Sequence, residues 1–175
     1  MRSLDLALFS LINAGGGTPR WLIQFAAFVS DVMPALAVGA FALGALWVRA
    51  WRRPLLLGLL SLLLAWGVVT LLRSAIQVPR PASLGLGIQW ASQGIRPGFP
   101  SMHATASFAF AMSLALARLR APALVLCLFA GMVAWSRVFL GLHFPSDVLA
   151  GAVLGSALAW AVERSMRRPA AAPAD

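Results

Sequence analysis

Long apolar runs separated by short polar segments make up most of this chain. Five of these runs are candidate membrane-spanning helices, and they extend from Met33 to Val48, Leu55 to Leu72, Ala104 to Ala117, Pro122 to Ser136 and Val148 to Val162. Each run is shorter than the ~20 residues that a full crossing requires, and flanking arginines that snorkel to the headgroups can make up the difference. Gly151 and Gly155, four residues apart, predict close packing of the last run against a neighbouring helix. The pattern predicts an all-α fold, a polytopic transmembrane helix bundle of five spans.

Two weaker apolar segments lie before the five runs. They extend from Leu4 to Ile12, interrupted by Asp5, and from Trp21 to Val29, interrupted by Gln24. Tryptophan and polar side chains in short apolar helices are typical of the membrane interface. We therefore predict amino-terminal interfacial helices over residues 1–30, the transmembrane bundle over 31–165 and a tail over 166–175. A sixth crossing by the amino-terminal segments is the alternative.

Composition supports a membrane bundle with no second domain. Of the 175 residues, 61% are hydrophobic and 11% are charged, whereas a soluble domain carries about 25% charged residues. The formal net charge is +9, and every basic residue is arginine. These arginines lie at the edges of apolar runs rather than along one polar face, which argues against nucleic acid and predicts membrane lipids as the surroundings.

Arginine placement predicts the orientation of the bundle. Three clusters fall at alternate ends of the runs: Arg49, Arg52 and Arg53; Arg118 and Arg120; Arg164, Arg167 and Arg168. By the positive-inside rule, the end of the bundle that carries these clusters is cytoplasmic, and so is the tail. The segment from Val78 to Ser101 and the turn around His143 then face outward.

Three polar clusters meet on this outer face, and they contain both histidines of the chain. They extend from Arg73 to Pro81, from Phe99 to His103 and from Ser136 to Asp147. Together they supply cations, two imidazoles, a hydroxyl and a carboxylate. That set of groups suits binding a phosphate, attacking it and protonating the group that leaves.

His143 and Asp147 lie four residues apart, at the start of the last run. Pro145 suits the first turn of a helix, so we expect the helix to begin near residues 144–146. The aspartate can then hold one imidazole nitrogen and leave the other free as a nucleophile. The alternative is an aspartate that caps the helix beside an interfacial histidine.

Ser101 and His103 lie at the start of the third run. A helix that begins there directs free backbone N–H groups and its positive dipole end at an anion, and the Ser101 hydroxyl can add a further donor. The alternative is a serine N-cap followed by a histidine whose hydrogen bonds are satisfied elsewhere.

Several arginines approach the outer face against the positive-inside rule, which makes them candidates for function. Guanidinium groups bind phosphate oxygens in a bidentate fork, and the candidates are Arg73, Arg80 and Arg137. Each of them alone is also consistent with a snorkelling anchor. Arg96 either contacts a distal phosphate or braces the outer segment.

The three clusters resemble the signature of the type 2 phosphatidic acid phosphatase superfamily of membrane phosphatases. That signature is Lys-x6-Arg-Pro, then Pro-Ser-Gly-His, then Ser-Arg-x5-His-x3-Asp. Matching positions are Arg80 and Pro81; Pro100, Ser101 and His103; Ser136, Arg137, His143 and Asp147. Arg73 replaces the lysine and keeps a cation. Met102 replaces the glycine within the phosphate-binding segment, and we interpret it as a mark of substrate preference.

The resemblance implies a role for each site residue. His143 attacks phosphorus and forms a phosphohistidine, Asp147 holds His143, and His103 protonates the leaving oxygen and then activates water. The phosphate oxygens are held by Arg73, Arg80, Ser101 and Arg137. The resemblance implies no cofactor, and we expect no metal ion because arginines stand where a cation would act.

The placement of the site at the membrane surface favours a lipid phosphate as substrate. Compact members of the family resemble bacterial undecaprenyl-diphosphate phosphatases, so the leading hypothesis is hydrolysis of undecaprenyl diphosphate in the bacterial inner membrane, with the site on the extracytoplasmic side. Alternatives are a phosphatase for phosphatidylglycerophosphate, phosphatidate or lipid A, and a non-enzymatic protein that binds anions or lipids. A haloperoxidase fits less well, because the distant relatives with that activity are soluble. The sequence predicts no oligomeric state.

Overall fold

The computed structural model describes residues 2–92 and 96–167. Within these residues the chain folds into seven α-helices and no strand: α1 (Arg2–Ile12), α2 (Arg20–Asp31), α3 (Met33–Trp47), α4 (Arg52–Ala75), α5 (Met102–Leu116), α6 (Arg120–Phe139) and α7 (Pro145–Ser165). Two short 3₁₀ helices cover Arg49–Trp51 and Pro81–Leu84. The all-α prediction is confirmed. Most of the predicted tail, residues 168–175, lies outside the described residues.

Among the described residues, three helices are long and apolar enough to cross a membrane, and they are α4, α6 and α7. They have 24, 20 and 21 residues and exceed the predicted apolar runs, because polar residues at their ends continue the helix. α2 and α3 meet at a bend of 49° and together could form one broken span, a fourth. α5 has only 15 residues, about 22 Å at the usual rise. The number of spans therefore stays a prediction.

α5 lies at the centre of the bundle and packs against α4, α6 and α7. Its contact with α7 is close because glycines face it. A Cβ atom at Gly155 would collide with the carbonyl oxygen of Thr105, and one at Gly151 would lie 2.8 Å from the carbonyl oxygen of Ser101. The predicted close packing of the glycine pair is confirmed, and it fixes the start of α7 against the start of α5.

Replacing Gly155 by alanine is expected to lower stability by about 1–3 kcal/mol, because the new methyl group meets the α5 backbone, which cannot rotate away. Thermal unfolding in detergent micelles measures the change. Gly131→Ala on α6 is the matched control, since nothing lies within 4 Å of a Cβ there. Its melting temperature is expected to stay level or rise, as helix propensity favours alanine. Equal melting temperatures for the two variants would contradict the packing argument.

The two ends of the bundle differ in their polar groups. At one end Arg53 Nη2 lies 3.3 Å from Glu163 Oε1, which joins the start of α4 to the end of α7. The end of α4, the start of α5, the end of α6 and the start of α7 meet at the opposite end. All three predicted polar clusters therefore lie at the end away from the Arg53–Glu163 ion pair.

The segment between α4 and α5 is fastened to the turn that precedes His143. Asn13 donates from Nδ2 to the carbonyl oxygens of Ile88 and Phe139 and accepts the backbone N–H of Ile88 through Oδ1. Gly141 has a φ of 73°, and a Cβ there would collide with the carbonyl oxygen of Ile88. The residue that follows α1 thus links the segment between α4 and α5 to the polar cluster that contains His143.

Candidate active site

His143 lies in a tight turn between α6 and α7. The backbone N–H groups of Leu142 and His143 both donate to the carbonyl oxygen of Arg137, at 3.0 and 3.2 Å. The Nδ1 atom of His143 lies 3.3 Å from Asp147 Oδ2, and both side chains are almost fully buried. Since Nδ1 faces the carboxylate, Nε2 is the ring nitrogen left for chemistry.

Asp147 also contacts the backbone at the start of α7. The N–H of Phe144 donates to Asp147 Oδ2 at 3.0 Å, and Pro145 is the first residue of the helix, as the sequence predicts. The two interpretations of this carboxylate, a helix cap and a partner for His143, therefore hold together. One oxygen atom serves both contacts, which fixes the imidazole relative to α7.

The electrostatic surroundings keep His143 neutral. Burial, followed by the guanidinium groups of Arg137, Arg80 and Arg73, holds the pKa of His143 well below its usual range. A nucleophilic imidazole must be unprotonated to attack. The arginines that would bind a phosphate therefore also keep the ring beside it in its reactive form.

Ser101 precedes α5 and does not cap it. Its backbone N–H donates to the carbonyl oxygen of Asp147 at 3.0 Å, and its own carbonyl oxygen accepts the Thr105 hydroxyl at 2.8 Å. Its Oγ atom is buried and has no hydrogen-bond partner in the described part of the chain. The N-cap alternative is wrong, and a buried hydroxyl remains available at a helix N-terminus.

Arg73 and Arg80 each donate hydrogen bonds to backbone carbonyl oxygens. Arg73 donates from Nε and Nη2 to the oxygen of Pro100, at 3.1 and 2.7 Å. Arg80 donates from Nε to the oxygen of Arg96 and from Nη1 to that of Leu142, at 2.8 and 3.1 Å. These bonds tie the three polar clusters together and fix both guanidinium groups in place.

Arg137 is the most deeply buried charge of the site. Its Nη1 donates to Ser30 Oγ at 2.6 Å and lies 3.4 Å from Asp31 Oδ1. Its Nε and Nη2 are buried and have no partner among the described residues. Unpaired donors on a buried cation cost several kcal/mol, of the order of 1–3 for each group, so their retention indicates a site for an anion.

A polar cavity of about 770 Å³ lies between the end of α4 and the start of α5. Its lining includes six of the nine predicted site residues, namely Arg73, Arg80, Arg96, Met102, His103 and His143. The other three, Ser101, Arg137 and Asp147, are buried and do not line the cavity. The Arg96 side chain is exposed. Its backbone carbonyl oxygen accepts the hydrogen bond from Arg80 Nε and so helps to position that guanidinium group.

An apolar cavity of about 530 Å³ begins one helical turn below the site, between α3, α5 and α6. It is lined by Met33, Val38, Ala106, Phe110 and Val133, among other apolar residues. Ala106 lies three residues beyond His103, and Val133 lies four before Arg137. A molecule with a phosphate head and a hydrocarbon tail matches this succession of a charged and an apolar cavity.

Sequence reasoning missed contributions from two segments. Ser30 and Asp31, at the end of α2, contact Arg137, and neither was among the predicted site residues. The polar Ser-Asp pair that closes an apolar helix was the available signal. Gly98 lies so close to the site that a Cβ there would be 3.2 Å from Arg80 Cγ and 3.3 Å from Asp147 Oδ2.

Known proteins resemble the chain in both sequence and fold. The PAP2 superfamily matches residues 54–169. The chain is 34% identical over 165 residues to the "Putative undecaprenyl-diphosphatase YbjG" of Escherichia coli (strain K12), a match that covers 89% of this chain and 79% of that protein.

Two crystal structures share the fold. That of Aquifex aeolicus LpxE has a TM-score of 0.76 and 24% identity, covering 92% of this chain and 95% of the other. That of a transmembrane PAP2-type phosphatidylglycerolphosphate phosphatase from Bacillus subtilis has a TM-score of 0.73 and 21% identity, covering 95% and 88%.

Proposed function

The chain belongs to the PAP2 superfamily of membrane lipid phosphatases, and from this premise we propose that it hydrolyses undecaprenyl diphosphate to undecaprenyl phosphate without a metal ion. The observation that carries the proposal is the set of unpaired buried donors on Ser101 and Arg137 beside the paired His143 and Asp147. Such donors are what a bound phosphate would satisfy.

The proposed reaction has two steps at one phosphorus atom. In the first, Nε2 of His143 forms a bond to the terminal phosphorus, the bond from phosphorus to the bridging oxygen breaks, and His103 gives its proton to that oxygen. In the second, water attacks the phosphohistidine, the N–P bond breaks and His103 takes the proton from water. Asp147 stabilises the positive ring during both steps.

Phosphate binding is proposed to use the cations and donors at the end of the bundle. Arg73, Arg80 and Arg137 would surround the reacting phosphate, with Ser101 as a further donor. Arg96, exposed at the rim of the polar cavity, would contact the second phosphate of a diphosphate. Met102 lines the same cavity and would contact the head group rather than the tail.

The lipid tail is proposed to occupy the apolar cavity below the site. That cavity offers almost no polar surface, whereas the head-group cavity is lined by three arginines and two histidines. A lipid could therefore keep its tail at membrane depth while its phosphates reach His143. We propose the extracytoplasmic side of the inner membrane for the site, since the arginine clusters of the opposite end favour the cytoplasm.

Undecaprenyl diphosphate is expected to be hydrolysed at least about tenfold more efficiently than phosphatidylglycerophosphate, phosphatidate or a lipid A phosphate. The physical reason is the extra cation, Arg96, which would contact a second phosphate joined directly to the reacting one. Phosphatidate has no second phosphate, and in phosphatidylglycerophosphate it is a diester that lies one glycerol unit away. The measurement is kcat/KM for each lipid, with purified protein in detergent and EDTA present throughout. Equal or better turnover of phosphatidylglycerophosphate would move the proposal to that substrate, and loss of activity with EDTA would contradict a metal-independent site.

A further inference from the structure

We propose that Asp31 is a positioning residue that acts through His103, by stabilising the protonated ring that gives a proton to the leaving oxygen. This rests on the proposed function, because it concerns the proton donor of that reaction. Asp31 ends α2 and lies outside the region that the PAP2 superfamily matches, residues 54–169. The motif therefore does not include Asp31.

One carboxylate oxygen of Asp31 lies between the imidazole of His103 and the guanidinium group of Arg137. Asp31 Oδ1 lies 4.0 Å from His103 Nε2 and 3.4 Å from Arg137 Nη1. Ser30 donates its hydroxyl to the same oxygen at 2.7 Å and accepts Arg137 Nη1 at 2.6 Å. The same carboxylate oxygen therefore contacts both Arg137 and His103, and Ser30 gives Arg137 a second, shorter contact.

Positive groups surround His103, and the Asp31 carboxylate is the negative charge that opposes them. The other titratable groups close to the ring are Arg137 on α6, His143 in the turn before α7 and Arg73 on α4. Burial and the two guanidinium groups oppose a positive charge on the ring, whereas His143 is neutral. Asp31 is the only carboxylate among these neighbours in the described part of the chain. A proton donor at this position needs an opposing negative charge, and Asp31 supplies it.

A carboxylate beside an anion site is otherwise unfavourable. It repels the phosphate that Arg73, Arg80 and Arg137 would attract, although it also pairs with Arg137. Its side chain is about half exposed, at 53%, so solvent screens the charge and limits its effect to at most about fivefold. Its ion pair with Arg137 positions that guanidinium group, and its effect on His103 belongs to the proton-transfer step.

Leaving-group dependence separates this role from a structural one. An alcohol leaves poorly as an anion and needs a proton from His103, whereas p-nitrophenolate leaves without one. Asp31→Asn keeps the size of the side chain and an oxygen for Ser30 and removes only the charge. We expect kcat/KM to fall about three- to fivefold with dodecyl phosphate and to stay almost unchanged with p-nitrophenyl phosphate, both measured in the same detergent.

Two further variants make the comparison specific. Ser30→Ala removes a partner of Arg137 and is expected to lower kcat/KM equally for the two substrates, because Arg137 acts on the phosphate and not on the leaving group. Glu163→Gln, which alters a carboxylate in the ion pair at the opposite end, is expected to change neither value. In a His103→Asn background, Asp31→Asn is expected to have no additional effect with dodecyl phosphate.

The outcomes test the role of Asp31 separately from the proposed phosphatase activity. An equal loss for both substrates in Asp31→Asn would overturn it, because the carboxylate would then act only through Arg137 or through folding. A full additional loss in the His103→Asn background would overturn it as well. If the unaltered protein releases no phosphate from any lipid or aryl phosphate, the proposed function itself fails.

Discussion

Replacing His143 by alanine is expected to abolish phosphate release, with kcat/KM falling by at least about 10⁴-fold. The chain contains one other histidine, and His103 Nε2 faces Asp31 rather than Asp147. The carboxylate contact of His103, at 4.0 Å, is longer than the 3.3 Å contact between His143 Nδ1 and Asp147 Oδ2. Without the nucleophile, the arginines can still bind the phosphate, but no N–P bond can form.

Trapping the intermediate gives the direct measurement. With a substrate labelled in its terminal phosphate, acid-labile and alkali-stable label is expected on the unaltered protein and none on His143→Ala. His103→Asn serves as the contrasting variant, since losing the group that activates water should let labelled protein accumulate when the leaving group is good. Labelled His143→Ala, or phosphate release at the original rate, would disprove the histidine mechanism.

Binding must survive for this result to bear on chemistry. His143 is almost fully buried, and its removal leaves Arg73, Arg80 and Arg137 held by their own contacts with Pro100, Arg96, Leu142 and Ser30. We therefore expect inorganic phosphate to displace labelled lipid from His143→Ala as it does from the unaltered protein. A variant that neither binds phosphate nor unfolds at the original temperature would report a folding defect instead.

The helices were predictable from the sequence because their signals are local. Apolar runs and the arginines at their ends locate α3 to α7, and Pro145 locates the start of α7. Helix ends were less accurate, because polar residues such as Ser74 and Arg137 continue a helix once its backbone hydrogen bonds are formed. The bend between α2 and α3 lies beside Pro34 in the first turn of α3, a local signal for a helix break that the sequence prediction did not use.

The motif residues of the site were predictable for a different reason. Phosphate chemistry restricts which residue types can serve, and only a few arginines and histidines lie at the outer ends of the runs. Partners that act through the tertiary structure were not predictable in this way. Asp31 is far in sequence from Arg137 and His103, and only the packing of α2 on α6 brings it to them.

The free hydroxyl of Ser101 shows the same limit. Its sequence context, directly before a helix, favours an N-cap, but the structure directs its backbone into contacts with Asp147 and Thr105. Close packing of Gly151 against the Ser101 carbonyl holds that arrangement. The chemistry of the side chain therefore depends on the contact between α5 and α7, which the sequence indicates only through a glycine spacing.

Asp147→Asn is expected to lower kcat/KM by about 10²–10³-fold while leaving the melting temperature almost unchanged. Asp147 Oδ2 accepts the Phe144 N–H and faces His143 Nδ1, so the amide oxygen of asparagine can take over both contacts. The reverse orientation would set the amide N–H₂ against the Phe144 N–H, donor against donor. His143 should thus keep its tautomer, and the loss reports the missing negative charge opposite the ring when it becomes positive.

Asp147→Ala separates the charge from the geometry. It removes the cap of Phe144 as well, which is worth about 0.5–2 kcal/mol, so its melting temperature should fall below that of Asp147→Asn. It also frees the ring to adopt the other tautomer, and kcat/KM should drop at least about tenfold further. If Asp147→Asn stays within about threefold of the unaltered protein, the carboxylate acts only as a cap, and His143 must be activated by the arginines and its burial alone.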